Sequence, residues 1–398
     1  MQLTVRRQTV TVMSIMALGV LAMSMLQPVV PLYLTSIGVA PEIVGLMLSV
    51  AMVGMVIGES SWGWVADQKG AKLPMTVGTF ISGLAVFSFV LTQNMALIFT
   101  VFFLWGLTRS ALFGPGRGYI STNAPLLRKA TFMAIITMMM SASRSIGALP
   151  SGFLADNLGF HAVFFVSCGI SLLAGILVLD GFGQAQPLKV EPVIAGLPPI
   201  GDLPSSVQRV SYRPFAIQCV VTALQSWCRG TVMGFLPLLA TQVVGVSATK
   251  VGVLFTTYGI AIMLMSIPMG TLADRIGKKS FMTFGLVISG IAMAGIAFSP
   301  SYAWLIFFVI TSGLGMATFS PAALGVISDS VPLKWQSTAM GIYGAFGENI
   351  GIIAGASVGG FIWSAWGPQY TFLLGTMTTA LGTVICLTLV KDTATRKL

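Results

Sequence analysis

Apolar residues along this chain come in runs of about 20, the length at which a helix rising 1.5 Å per residue crosses a hydrocarbon core about 30 Å thick. Twelve such spans are predicted, at residues 9–34, 43–66, 73–92, 95–120, 131–155, 160–180, 214–241, 250–273, 281–299, 302–328, 337–364 and 370–390. Most of the breaks between them are short and polar. One is longer: residues 181–213 are rich in Pro and Gly, hold Lys189, Glu191, Asp202, Arg209 and Arg213, and lack a long apolar run. The pattern predicts an all-α membrane protein of twelve transmembrane helices in two six-helix bundles, residues 1–180 and 214–398, with a cytoplasmic linker at 181–213.

Composition agrees, because 55% of the 398 residues are hydrophobic and 8% are charged, against about 25% charged in an ordinary soluble domain. The net charge of +10 raises the question of nucleic acid, and the placement of the cations answers against it. With the N-terminus inside, sixteen of the 21 Lys and Arg fall in cytoplasmic segments and Lys250 alone lies in an outside loop. That asymmetry places both termini in the cytoplasm of an inner membrane. The first span follows Arg6 and Arg7 like an export signal, but it exceeds the roughly 7 to 15 apolar residues of a cleaved leader. Cys168, Cys219, Cys228 and Cys386 all fall within spans without metal-ligand spacing and read as packing residues. No GxxxxGK[ST] loop, paired metal ligands or nucleophile motif occurs, so neither an enzyme nor a resident cofactor is expected.

The two halves are also repeats. Residues 44–78 align without a gap to residues 251–285 at an offset of 207, matching Gly45 with Gly252, Gly63 with Gly270, Asp67 with Asp274, Gly70 with Gly277, Lys72 with Lys279 and Gly78 with Gly285. The same offset carries Pro125 and Thr131 onto Pro332 and Thr338, and an offset of 208 carries the segment from Gly152 onto that from Gly360. Half-transporters related by an axis along the membrane normal place a substrate site between them near the midplane.

The repeated loops GWVADQKGAK, from Gly63 to Lys72, and GTLADRIGKK, from Gly270 to Lys279, resemble the signature loop of the major facilitator superfamily. The resemblance covers essentially the whole chain. It implies that the loop, here Gly63, Asp67, Gly70, Lys72, Gly270, Asp274, Arg275, Gly277 and Lys279, latches cytoplasmic helix ends together, with Arg117 the expected partner of Asp67. The lysines also serve topology. The segment SRSIGALPSG at 143–152 is similar in part to the fifth-span pattern of the family's drug and proton antiporters, and Arg109 before Gly114 is similar in part to a fourth-span pattern. The resemblance further implies that spans one, four, seven and ten line a central cavity, with two, five, eight and eleven along the interface between halves.

Ionisable groups inside a membrane are costly, and each is a functional hypothesis by default. Six stand within spans, namely Glu59, Arg109, Arg117, Arg144, Arg229 and Glu348, all on spans that the resemblance assigns to the cavity or the interface. Arg109, Arg144 and Arg229 lie near mid-span and cannot deprotonate. They are candidates for holding a substrate carboxylate, phosphate or sulfonate, or else are satisfied by carbonyls and helix ends. Glu348 and Glu59 are candidates for proton coupling, or for permanent pairing with arginine. Gln27, Tyr33, Gln225, Trp227 and Tyr258 are uncharged candidates for the cavity wall, with packing as the alternative. The expected function is secondary active transport by alternating access. Two substrate readings stand, proton-coupled export of an amphiphile and movement of an organic anion, with a transport-dead receptor or membrane enzyme as a third reading. The expected partners are a small molecule, protons and lipid, with no nucleic acid, around a monomer.

Overall fold

The computed structural model describes residues 2–92, 94–123, 129–181, 212–330 and 342–390. Among them run twelve helices and no strand. The first six are α1 (Gln2–Ser36), α2 (Pro41–Lys69), α3 (Lys72–Leu91), α4 (Met95–Asn123), α5 (Lys129–Leu158) and α6 (Phe160–Gly181). The last six are α7 (Tyr212–Leu238, extended by a π-helical turn Leu239–Val243), α8 (Ala248–Ile276), α9 (Lys278–Ala297), α10 (Tyr302–Ser330), α11 (a π-helical stretch Tyr343–Asn349 continued by Ile350–Trp366) and α12 (Pro368–Leu389).

Among the described residues, ten of these helices are long and apolar enough to cross a membrane. α5 and α7 carry Ser141, Ser143, Arg144 and Ser145, and Gln218, Gln225, Ser226 and Arg229. Their backbones satisfy their own hydrogen bonds, which is why helices suit a solvent that offers no partner. Prolines inside α1 (Pro28, Pro31), α4 (Pro115), α5 (Pro150), α7 (Pro237), α8 (Pro268) and α10 (Pro321) are tolerated where neighbouring helices and local π adjustments take up the freed groups. Pro237 stands just before such a π turn.

Helix ends follow the repeat. Gly70 closes α2 with φ 81° and Gly277 closes α8 with φ 129°, each donating its N–H to the carbonyl four residues back, Ala66 at 2.9 Å and Ala273 at 3.0 Å. Only glycine enters such a backbone region without strain. Packing follows the repeat as well. Within the first six helices α1 packs on α5 and α6, α2 and α3 pack on α4, and α3 packs on α6; within the last six α7 packs on α11 and α12, α8 and α9 on α10, and α9 on α12. The two sets meet along α5 with α8 and α2 with α11, and more sparingly along α1 with α7 and α8.

Consecutive helices run antiparallel, so Gln2 and Val390 lie at one end, called the terminal end below, and the turns α1–α2, α5–α6, α7–α8 and α11–α12 lie at the opposite end. That opposite end is shut. A Cβ added at Gly45 would stand 2.2 Å from the Ala356 carbonyl, and one at Gly252 would stand 2.5 Å from that of Ala148. Gly152 and Gly360 meet the backbone of Ala248 and of Pro41 at 2.2 and 2.8 Å in the same way. Ser49 donates to the Ile353 carbonyl at 3.0 Å and Thr256 to that of Ser145 at 2.9 Å. These contacts join the first six helices to the last six in the half of the molecule away from the termini.

Candidate functional site

A cavity of about 50 Å³ lies between the two sets of helices. Its walls are apolar: Leu26 and Val30 from α1, Leu48 and Met52 from α2, Phe102 from α4, and Ile352 from α11 among them. Into this surface projects one charge, Arg109 of α4, only 7% exposed. Trp105, one turn earlier, puts its ring under the guanidinium at 4.4 Å, and Nη2 meets the Met55 sulfur at 3.0 Å and that of Met52 at 3.8 Å. Thioethers are weak acceptors, and an indole face contributes up to about 2 kcal/mol when desolvated. The Nε and Nη1 groups of Arg109 are buried without a hydrogen-bond partner. A permanent cation is thus held in place by soft contacts with two of its three nitrogens unused.

The electrostatic neighbours of Arg109 are Arg144, Glu59 and Arg229, and those of Tyr258 include Arg229 and Arg144. Residues from α2, α4, α5, α7 and α8 are therefore brought to one centre, in which three arginines outnumber one carboxylate. Arg144, on α5, is exposed and acts electrostatically on Arg109 and Tyr258.

Glu348 stands in the π-helical stretch of α11 and acts on the buried hydroxyl of Tyr343, which accepts from Thr222 at 3.3 Å. No ion pair joins Glu348 to Arg229 among the described residues. Gln27 lines the cavity. Tyr33 does not: its hydroxyl donates to the Phe89 carbonyl at 2.9 Å and its ring packs edge-on against Phe164 at 5.0 Å, inside the core of the first six helices. Gln225 turns towards α9, donating to Ser289 at 2.8 Å, and Trp227 keeps a buried, unpartnered Nε1 outside the cavity lining. Sequence reasoning passed over Trp105, Met52 and Met55. Trp105 carried a signal, since it stands four residues before Arg109 and so on the same helix face.

At the terminal end the two signature loops do something specific. Lys72 donates to the Leu179 carbonyl at the end of α6 at 3.1 Å, and Lys279 to the Leu387 carbonyl at the end of α12 at 2.8 Å. The four residues are repeat partners, and a cation at a helix C-terminus satisfies carbonyls that the helix leaves open. Asp274 reaches Lys278 at 3.8 Å on the surface, Arg275 is exposed, and Gly270 lies against Pro321. A Cβ at Gly63 would meet nothing within 4 Å, so no close helix approach is made there in this conformation. The side chains of Asp67 and Arg117, with their expected pairing, lie outside the described residues, as does the linker from 182 to 211. Replacing Lys72 or Lys279 with Met should lower stability by about 0.3–1 kcal/mol each. Thermal unfolding in detergent reads this as a small, roughly additive drop in midpoint for the double variant.

The four cysteines are buried thiols, and no cluster of metal-ligating side chains occurs among the described residues. A family model for the Major Facilitator Superfamily matches residues 12–213 and 218–398. The chain is similar to the multidrug resistance protein MdtG of Enterobacter lignolyticus (strain SCF1), 23% identical over 367 residues that span 89% of this chain and 85% of that one. It is similar at 23% over 384 residues to MdtG of Salmonella paratyphi A (strain ATCC 9150), spanning 92% and 91%. Among solved structures, a D-xylose–proton symporter matches with a TM-score of 0.81 at 13% identity over 98% of this chain and 99% of that one. A bacterial homologue of the human lysosomal transporter Spinster, inward-facing and unoccupied, matches at 0.76 with 12% identity over 96% and 95%. The structural likeness is one of fold, and with a family model matching nearly the full length it leaves one assignment: the chain belongs to the Major Facilitator Superfamily.

Proposed function

We propose that this protein is a secondary active transporter that works by alternating access and exports an amphiphilic small molecule bearing an anionic group, coupled to protons. The observation that carries the reading is Arg109, a buried guanidinium with unused donors set into an apolar cavity between the two halves. An apolar wall with few convergent polar groups is the usual form of a small-molecule site. A cation that cannot deprotonate favours an anion there. Ligand pockets run to about 300–1,000 Å³, so a cavity of about 50 Å³ holds part of a ligand and the remainder extends between the halves.

The distribution of Lys and Arg supports a cytoplasmic terminal end. The state seen here, shut at the opposite end, then takes substrate from the cytoplasm. Export also accords with the drug-resistance name of the MdtG relatives. Residues 1–180 and 214–398 would be the rocking bodies, and Glu59 and Glu348 the carboxylates available for a proton.

Purified protein should be stabilised by a carboxylate-bearing amphiphile more than by its amide or amine counterpart; saturation at 100 times Kd contributes about 2.7 kcal/mol. The gain should vanish in Arg109→Gln and shrink in Arg229→Gln. In inverted vesicles, uptake of the same compound should collapse when an ionophore removes the proton gradient. Stabilisation by amines alone, unchanged in Arg109→Gln, would defeat the anion reading, and gradient-independent uptake would defeat proton coupling.

A further inference from the structure

Two carboxylates at the shut end each bridge the first six helices to the last six. Asp156, in the last turn of α5, accepts from the Ala248 N–H at 2.9 Å, the Thr249 N–H at 2.7 Å and the Thr249 hydroxyl at 2.5 Å, all in the first turn of α8. Glu42, in the first turn of α2, accepts from the hydroxyl of Ser364 near the end of α11. These are the same place in the two repeats: the offset of 207 carries Glu42 onto Thr249, and that of 208 carries Asp156 onto Ser364.

The residues have exchanged roles between the repeats. At the α2–α11 contact the acid stands on the helix that begins there, and at the α5–α8 contact it stands on the helix that ends there. A simple echo of a repeated sequence would keep the acid at the same repeat position. Here the carboxylate–hydroxyl bond is present at both contacts although the residues that make it are swapped, and both acids belong to the first six helices. Each bond lies beside a glycine contact, Gly152 on Ala248 and Gly360 on Pro41 and Glu42, which brings the backbones close enough for the short side chains to meet.

We propose that these two clasps are the lock of the gate at this end: Asp156, Thr249, Glu42 and Ser364 are positioning residues that set the balance between the state seen here and one open to the opposite side. A hydrogen bond to a carboxylate is about twice as strong as one between neutral groups, which biases the gate towards closure. The groups lie at helix ends, where water can replace either partner, so the bond can break in every cycle. Neither clasp touches the cavity, and the inference stands whatever the substrate is.

The test is a side-specific labelling experiment that needs no substrate. Val30 lines the cavity and is 5% exposed, so Val30→Cys reports opening of the shut end to a membrane-impermeant maleimide applied outside intact cells. The four native cysteines are buried, and the chain without V30C sets the background. Adding Thr249→Val and Ser364→Ala together should raise the labelled fraction of total protein about tenfold or more, each alone less, with a factor of ten corresponding to about 1.4 kcal/mol. Thr249→Ser should restore the parent value. Glu42→Gln with Asp156→Asn provides the same measurement from the acceptor side if the first pair accumulates poorly. A labelled fraction equal to the parent's in both double variants, whatever the yield, would overturn the proposal by making the clasps packing contacts only.

Discussion

Replacing Arg109 by Met should make the protein more stable and at the same time leave it without transport. The residue is buried to 93% of its surface, its cation rests on an indole and two thioethers, and two of its three guanidinium nitrogens have no partner. Substituting well-packed apolar groups for buried charge is often neutral or stabilising by about 1–4 kcal/mol, and Met matches Arg in length and its neighbours Met52 and Met55 in chemistry. The unfolding midpoint in detergent should therefore rise by a few degrees. Transport should fall on the order of 10²- to 10³-fold, because losing one partner of a buried, hydrogen-bonded charge pair costs about 2–5 kcal/mol. The two readouts together separate a binding arginine from a structural one. A structural arginine would lose stability and activity together. One specific route to that outcome exists in a second cavity behind Arg109, lined by Thr79, Ser82, Ser167 and Ser171. Their hydroxyls already donate to backbone carbonyls, and their free lone pairs could hold water against the guanidinium. A fall in the midpoint of Arg109→Met would assign the spare donors to that water and remove the anion site.

The architecture was legible in the sequence because its signals are periodic and punctuated. Span length followed from the bilayer, and the repeat followed from glycines and charges that fall at a fixed offset, among them Gly70 and Gly277, whose positive φ values close equivalent helices. The order of importance among the arginines was not legible. Helices apolar on nearly every side give no amphipathic phase from which the inward face can be read, so the sequence does not show that α4 turns Arg109, rather than α7 Arg229, into the cavity wall. Tyr33 was misplaced for the same reason, being on the first span but on the face that packs against α3 and α6. The clasps were missed through a different assumption. Charge is costly at mid-membrane and cheap at helix ends, so a search for ionisable groups inside the spans does not single out Glu42 or Asp156, although the repeat of Gly152 onto Gly360 already sets Ser364 opposite Asp156.

The glycines of the shut end carry the second large effect. Gly45 and Gly252 are repeat partners, and so are Ala356 and Ala148, whose carbonyls they face at 2.2 and 2.5 Å from where a Cβ would stand. Ordinary contact begins near 3.4 Å, and a backbone carbonyl within a helix cannot swing aside as a flexible side chain would. Gly45→Val or Gly252→Val must therefore push α2 from α11, or α8 from α5, by about 1 Å, and overpacking of this kind costs about 1–3 kcal/mol in the state that contains it. The cost falls on the shut state alone, so each variant should expose the V30C reporter to outside maleimide by about tenfold and cut transport by at least as much. The pair together should hold the end open. Gly63→Val is the contrast, because open space surrounds that position here. It should leave the labelled fraction unchanged or lowered, since any clash it makes arises only when the terminal end closes. If Gly45→Val and Gly252→Val labelled and transported like the parent, the α2–α11 and α5–α8 contacts would have to stay closed throughout the cycle, and alternating access at this end would have to use another seam.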